Sequence, residues 1–174
     1  MHHTFDDTDK QALLRGTVSR VGADFGHAAF ADAARRGEPA TALWNELAVG
    51  GFVGVNVPAE FGGGGMGVTE LAIVEEELAA AGYPLMMIVV WPAIAVPMLV
   101  RFGSDAQKQH WLPGLVAGTT KIVFAFTEPD AGSNAHRVGT TVAVPRSRRR
   151  PWPRTYGDRG RGEERRAAVG ALLR

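Results

Sequence analysis

The sequence FAFTEPDAGSN occupies residues 124–134 and follows the polar turn at residues 118–120. Residues 121–127, KIVFAFT, are rich in β-branched and aromatic side chains, which predicts a strand buried on both faces. After Thr127 come Pro129 and several small residues, so the backbone turns and leaves main-chain amides that a ligand can approach. Such a surface, with hydroxyl groups beside the amides, suits a planar hydrogen-bonding ring and an anionic phosphate.

A nucleophilic site is the alternative interpretation of this segment. Ser133 and His136 lie three residues apart and have the residue types of a catalytic dyad. The pair has no third group to orient the histidine, so we regard it as incidental. The chain contains no cysteine, and its histidines lack the spacing of metal ligands. The sequence therefore predicts neither a catalytic residue nor a metal site in this chain.

Upstream of the predicted strand, the pattern of apolar residues favours helices. Apolar residues recur at spacings of three to five between Asp9 and Arg36, although glycines interrupt this stretch. Shorter helices are predicted over Thr41–Val49 and Thr69–Ala81, each capped by its own first residue. Ser104 and Gln107 form a capping-box pattern, which predicts the start of a further helix.

Two motifs in this helical part invite functional interpretations. Gly62, Gly64 and Gly67 fit the G-x-G-x-x-G pattern of dinucleotide-binding turns, but no alternating strand and helix series follows, so we favour a flexible surface turn. The triple glutamate at residues 75–77 could suggest acid–base chemistry. Adjacent helix positions point about 100° apart and cannot converge on one site. We therefore expect a solvated helix face.

Residues 83–100 contain no charged side chain and approach the length of a membrane span. Their three prolines would break such a helix, so we predict a buried core helix in shorter pieces and no membrane span. The N-terminus is polar and acidic, unlike a secretory signal. Together with the lack of cysteine, this predicts a cytoplasmic protein.

The composition changes abruptly toward the C-terminal end. Residues 1–137 hold nine basic and fifteen acidic side chains, whereas residues 138–174 hold ten arginines, no lysine and three acidic side chains. Out-of-frame translation of a GC-rich gene would produce this composition, so we predict that residues 142–174 are disordered and out of frame. A nucleic-acid-binding arm, with Trp152 and Tyr156 for stacking, is the alternative. We favour it less because no basic folded face accompanies it.

The segment FAFTEPDAGSN resembles the flavin-binding signature of acyl-CoA dehydrogenases, (Y/C)-x-(V/L/F)-T-E-P-x-A-G-S-(D/N). The resemblance covers residues 10–141, because VPAEFGG at 57–63, VEEELA at 74–79 and the GS…QKQHWLP segment at 103–113 occur at family-like spacing. It implies a mainly α fold, in which an N-terminal helical bundle of acyl-CoA dehydrogenase type is followed by the first strands of an incomplete β domain. The implied domains are 1–119, helical; 120–141, the start of the β domain with the flavin motif; and 142–174, the arginine-rich tail.

The resemblance also implies a cofactor, FAD, and a substrate, acyl-CoA. The backbone from Phe124 to Ser133 would hold the flavin, with Phe126 and Thr127 near the ring and Gly132 and Ser133 near the pyrophosphate. Ser133 would also lie close to the thioester arm of the substrate. In this family a glutamate removes a proton from Cα while a hydride passes from Cβ to the flavin.

The sequence departs from the family pattern in three places. Asp130 stands where glycine is common. The second flavin-contacting strand, a Trp-Ile-(Ser/Thr) sequence, does not appear, nor does the C-terminal helical domain that supplies the glutamate base. We therefore predict an inactive fragment that forms homo- or hetero-oligomers. The alternative is a non-catalytic partner subunit that completes a flavin site with another dehydrogenase chain.

Overall fold

The computed structural model describes residues 6–122, 128–129, 131–134 and 136 of the chain. The chain divides into two compact units, Met1–Ile122 and Val123–Arg174. The first unit is helical, which confirms the mainly α fold class. In order, its helices are α1 (Asp9–Arg36), α2 (Thr41–Val49), α3 (Val68–Ala80), α4 (Met86–Val90), α5 (Pro92–Phe102) and α6 (Asp105–Val116), with a 3₁₀ turn at Ala59–Phe61.

The long helix α1 forms because its ends are well capped. The Thr8 side chain accepts a hydrogen bond from the Gln11 amide, and the Gln11 side chain accepts one from the Thr8 amide. At the far end Gly37 adopts a left-handed conformation with φ 65°. Within the helix, Gly26 has φ 65° and ψ 175°, so the helical backbone is interrupted there. The predicted bounds are confirmed, and one of the interrupting glycines makes a kink.

Two of the predicted helix caps are wrong. The N-cap of α2 is Ala40, and it forms no side-chain cap. Helix α3 begins after Gly67, whose amide donates to the Glu70 carboxylate at 2.8 Å, so Thr69 lies inside the helix. A glutamate three residues into a helix can satisfy a free backbone N–H without a capping hydroxyl, which explains the difference. The predicted capping box of Ser104 and Gln107 is confirmed at the start of α6.

The glycine run before α3 closes a backbone loop on the buried segment at residues 53–57. The amides of Gly64, Gly65 and Met66 donate to carbonyls of that segment at 2.8–3.0 Å. A side chain at Gly63 would overlap the Val57 backbone. The run is therefore a loop, as predicted, but a tightly hydrogen-bonded one rather than a flexible turn. Close backbone packing explains these glycines, with no need for a bound dinucleotide.

The uncharged segment at residues 83–100 forms two helices, α4 and α5, that meet at Trp91 and Pro92. Pro92 divides the segment as predicted, whereas Pro97 lies inside α5 without ending the helix. The burial of the segment is only partial, because several of its large apolar side chains are exposed. Among the residues that the structure describes, no helix is both long and apolar enough to cross a membrane.

The core of the first unit lies where the helices meet the loop at residues 53–57. Trp44 of α2 stacks on Trp91, with ring centroids 4.5 Å apart. Helix α1 packs along α3. The fully buried apolar side chains come from every α-helix of the unit, from the loop at residues 53–57, from the junction of α4 and α5 and from the chain just after α6: Val18, Leu43, Leu47, Val53, Val57, Val74, Leu78, Ile88, Trp91, Val96, Leu112 and Ile122.

Candidate functional site

The predicted ligand-binding segment is described in part, and its described portion is a tight turn. The Glu128 amide donates to the Ala131 carbonyl at 3.0 Å, and the Ala131 amide donates to the Glu128 carbonyl at 3.1 Å. Pro129 lies in the turn, where its fixed φ favours reversal of the chain. The Ala131 side chain is buried, so the turn has an inner and an outer side.

The residues that follow the turn are exposed. Gly132, Ser133 and Asn134 all lie at the surface, and a side chain at Gly132 would meet no atom within 4 Å. Their backbone amides form no hydrogen bond with the rest of the described residues. Two of the predicted site residues are thus placed where a ligand can reach their N–H groups. No observation tests their binding role, which stays a prediction.

The other predicted site residues, Phe124, Phe126 and Thr127, lie outside the described residues. The strand predicted over residues 121–127 falls mostly there too, and its first two residues, Lys121 and Ile122, are not in a strand. The alternative dyad gains no support, since no hydrogen bond joins Ser133 to His136 in the described part of the chain. The described residues also contain no group of three metal-binding side chains.

A tryptophan-centred contact holds the last residues of the first unit. The Trp44 indole N–H donates to the Gly118 carbonyl at 3.0 Å, and the Lys121 ammonium lies 5.2 Å from the Trp44 ring centroid. Gly118 has φ 69°, and a side chain there would collide with Ala48. The sequence predicted helix α2 but not this anchoring role of Trp44, because the partners are 74 residues apart.

A polar network, the Arg15 cluster, joins the start of α1 to α3. The Arg15 guanidinium contacts Asp7 at 2.8 Å, Glu76 at 2.9 Å and Glu77 at 2.5 Å. These hydrogen bonds, with Asp7 first and then Glu77 and Glu76, raise the pKa of Arg15. The expected solvated face of residues 75–77 is therefore wrong for Glu77, which is largely covered by its pairing with Arg15.

Glu70 extends the same connection. Its carboxylate accepts from the Gln11 side chain of α1 at 2.8 Å as well as from the Gly67 amide. The Gly67 amide, followed by Gln11, lowers the pKa of Glu70. The capping group of α3 is therefore also a tether to α1.

Glu75 is the second exception to the solvated face predicted for residues 75–77. Its Oε1 accepts a hydrogen bond from the Leu85 amide at 3.1 Å, and its Oε2 is buried without a hydrogen-bond partner among the described residues. Burial raises the pKa of Glu75, and the Leu85 amide opposes this only in part. Neighbouring glutamates on one helix thus have different surroundings because they point in different directions.

Helices α4 and α5 carry an exposed apolar surface, called here the α4–α5 face. Its members are large apolar side chains that are 36–72% exposed: Met86, Val89, Val90, Met98 and Phe102. Met98 and Phe102 are four residues apart, so they lie on one side of α5. Clusters of this kind are typical of binding surfaces rather than of a free monomer surface.

Two buried polar atoms without a hydrogen-bond partner among the described residues lie at the junction of α4 and α5. The Asn56 side chain donates to the Pro92 carbonyl at 2.8 Å, but its Oδ1 has no hydrogen-bond partner among the described residues. The same holds for the Trp91 indole N–H, although the ring is fully buried. Asn56 therefore fixes the junction of α4 and α5 through only one end of its amide.

Comparison with known proteins identifies the helical unit. Residues 8–119 match the acyl-CoA dehydrogenase N-terminal domain. The chain is 46% identical over 139 residues to the acyl-CoA dehydrogenase FadE12 of Mycobacterium tuberculosis, covering 80% of this chain and 36% of the relative. It is 34% identical over 93 residues to the mitochondrial isovaleryl-CoA dehydrogenase of Pongo abelii, covering 53% of this chain and 22% of that protein.

Solved structures agree with the sequence comparison. Butyryl-CoA dehydrogenase from Megasphaera elsdenii has a TM-score of 0.70 at 26% identity, covering 79% of this chain and 37% of that one. An FAD complex of PigA has a TM-score of 0.69 at 27% identity, with the same coverage of the two chains. The chain thus spans little more than a third of the length of FadE12 and of these structures. With the N-terminal domain matched over most of the folded helices, the chain belongs to the acyl-CoA dehydrogenase family.

Proposed function

We propose that this chain supplies the N-terminal helical domain and the first flavin-binding segment of an FAD-dependent acyl-CoA dehydrogenase, an oxidoreductase that acts on the CH–CH bond next to a thioester. The observation that supports this proposal is the order of two features along the chain. The family's N-terminal domain at residues 8–119 is followed within a few residues by the flavin-type sequence at 124–134. A division into residues 1–119, 120–141 and 142–174 is part of this proposal.

The exposed end of the turn fits the phosphate end of FAD. Gly132 and Ser133 are exposed and present backbone N–H groups, Ser133 adds a hydroxyl, and a Cβ at Gly132 would meet no atom within 4 Å. Free N–H groups in a turn bind anions well. Phe124, Phe126 and Thr127 would contact the flavin itself. When bound, FAD would supply the hydride acceptor for the reaction.

The α4–α5 face fits the acyl part of an acyl-CoA substrate. It is apolar, partly exposed and rich in methionine, whose flexible side chain adapts to irregular apolar partners. Each methylene group that leaves water gains about 0.8 kcal/mol. Arg101, which lies over the Phe102 ring at 5.2 Å, is the charged group nearest to this surface in sequence. Ser133 would lie near the thioester arm.

Turnover needs a general base, and the glutamates of α3 are poorly suited to that role. Glu70, Glu76 and Glu77 are held by amides or by Arg15, and Glu75 accepts from the Leu85 amide. A base must reach the proton that it removes, and loss of general-base catalysis costs about 10²–10⁴ in rate. We therefore propose that the chain alone binds ligands without dehydrogenating acyl-CoA.

Flavin binding tests the proposed function directly. Purified full-length chain is titrated into FAD, and the fluorescence and visible spectrum of the flavin are followed. We expect saturable binding that weakens in a Gly132→Pro variant, because proline lacks the N–H group. The control is Ala106→Ser, which changes an exposed residue of α6. Thr119→Pro would not serve, because the Thr119 amide donates a hydrogen bond to the Gly114 carbonyl. No binding by the unaltered chain would contradict the cofactor assignment.

A second candidate function is supported by the exposure of the α4–α5 face. In this role the chain would be a non-catalytic partner subunit: another dehydrogenase chain would cover the α4–α5 face, and the two chains together would complete a flavin site. Co-expression of the full chain with a complete acyl-CoA dehydrogenase, followed by purification on a tag carried only by this chain, should recover both proteins with bound flavin. Phe102→Ser should reduce recovery, whereas Leu13→Ser, at an equally exposed position on α1, should not. Equal recovery with both variants would reject this role.

A further inference from the structure

We propose that the Glu75 carboxyl is a pH-sensitive latch, which holds the turn before α4 against α3 when protonated and releases it when ionised. The proposal concerns the movement of one helix and does not depend on flavin binding. It begins from a hydrogen bond that spans the turn. Glu75 lies inside α3, and its Oε1 accepts from the amide of Leu85, the last residue before α4.

The Glu75–Leu85 hydrogen bond holds the short turn between α3 and α4 at one point. The turn begins at Ala81 and passes through Gly82, which has φ 84°. Leu85 is itself buried, and α4 contains only five residues. A helix this short has little stability of its own, because one turn of helix barely offsets the entropy of forming it. Its position therefore depends on contacts such as the Glu75–Leu85 hydrogen bond.

The protonation state of Glu75 determines how stable the Glu75–Leu85 hydrogen bond is in its buried surroundings. Oε2 of Glu75 has no hydrogen-bond partner among the described residues although it is buried, so the ionised carboxylate lacks the hydration it would have in water. The protonated acid pays a smaller cost in the same place. The pKa of Glu75 is accordingly raised by burial, against a lowering contribution from the Leu85 amide.

Other titratable groups lie near the turn and have to be distinguished from Glu75. Helix α3 packs against α1 and α4, and α4 has no titratable side chain. On α1, Arg15 is bound to Glu76 and Glu77, and His27 approaches the Gly82 carbonyl at 3.4 Å. Within the turn itself, Tyr83 packs against Phe25 and Phe30. His27 is therefore the group that an experiment must separate from Glu75.

The direction of the pH effect follows from proton linkage. The closed turn binds the Glu75 proton more tightly than the open turn, where the carboxyl is hydrated and has its ordinary pKa of about 4.5. Stabilisation of the closed turn is thus fully present below that value and is lost as the pH rises through the raised pKa of the closed state. A single proton changes the opening equilibrium by at most about tenfold per pH unit in this window.

Hydrogen exchange of the full chain tests the latch. Exchange in a peptide spanning Leu85 and α4 is measured by mass spectrometry from pH 4.5 to neutral pH, corrected for the intrinsic exchange rate and compared with amides of α6. We expect protection of this peptide, but not of α6, to fall severalfold as the pH rises. In Glu75→Gln, which keeps an oxygen acceptor for the Leu85 amide, protection should not change with pH and should exceed that of the unaltered chain near neutral pH.

Two controls make the result specific. Glu60→Gln removes a carboxylate from an exposed position of the 3₁₀ turn and should leave the pH dependence intact. His27→Gln removes the second titratable contact and should also leave it intact. The latch is rejected if Glu75→Gln retains the slope, if His27→Gln abolishes it, or if protection in the unaltered chain rises with pH. Even if a variant does not fold, the latch is rejected when protection in the unaltered chain fails to fall as the pH rises.

Discussion

The α1–α3 interface and the α4–α5 face belong to one helical unit but differ in how well their groups are matched. Arg15 of α1 pairs with two carboxylates of α3 and with Asp7 just before α1, and Gly22 allows the two helices to approach closely. On α4 and α5, large apolar side chains are exposed, and the Trp91 N–H is buried without a partner among the described residues. In the first region, the charged and closely packed groups of one helix are matched by groups of the other. The second has the exposed apolar surface that is typical of binding sites.

The largest effect is expected in the core at the junction of α4 and α5. Trp91 is fully buried and stacks on Trp44, so Trp91→Ala should lower the free energy of unfolding by about 3–5 kcal/mol, as for other buried aromatic residues. Trp91→Phe keeps a stacked ring and removes an N–H that has no partner in the described residues, so it should cost much less. Urea unfolding followed by circular dichroism measures both. Equal losses would show that the indole N–H has an important partner.

The next effect tests how closely α1 and α3 approach. A methyl group at Gly22 would lie 2.8 Å from the Ala81 side chain, whereas nothing lies within 4 Å of the same position at Gly16. Gly22→Ala should therefore destabilise the unit by about 1–3 kcal/mol through overpacking. Gly16→Ala, on the same helix, should stabilise it by about 0.5–1 kcal/mol because alanine favours helix. Changes of the same sign in the two variants would contradict the close approach.

A smaller effect is expected from the ion pairs of that interface. Arg15→Gln should lower the melting temperature, and the loss should shrink as salt is added, because salt screens charges at the protein surface. Arg20→Gln is the matched control, since within the described part of the chain Arg20 forms no ion pair and contacts the Thr17 hydroxyl at 3.4 Å. A melting temperature that falls equally at low and high salt would assign the role of Arg15 to packing of its side-chain stem.

The contrast between the regions also explains what could be predicted from the sequence. Helix α1, helix α2 and the Ser104 capping box were predictable because they depend on local spacing and on side chains three residues apart. The flavin-type segment was recognisable because its short sequence is specific to a family. The confirmed helical fold and family membership follow from such signals.

Long-range partners were not predictable by the same means. The separate surroundings of Glu75 and Glu77 depend on Leu85 and Arg15, which are brought close only by folding. The Trp44–Gly118 hydrogen bond is another contact of this kind. The exposure of residues on α4 and α5 was missed because an uncharged segment indicates apolar surroundings without showing whether the same chain supplies them.

Substitutions on the α4–α5 face are expected to change stability least while clearly changing self-association. Met86 is 67% exposed on α4, and Leu13 is 71% exposed on α1, so serine at either position should change the free energy of unfolding by no more than about 0.5 kcal/mol. If the α4–α5 face is a binding surface, Met86→Ser should reduce self-association in analytical ultracentrifugation, whereas Leu13→Ser should not. Clustered apolar side chains drive association because their contact removes a continuous apolar area from water, and an isolated side chain cannot do this. Equal self-association of both variants would show that exposure alone, rather than the arrangement of these helices, determines how the chain associates.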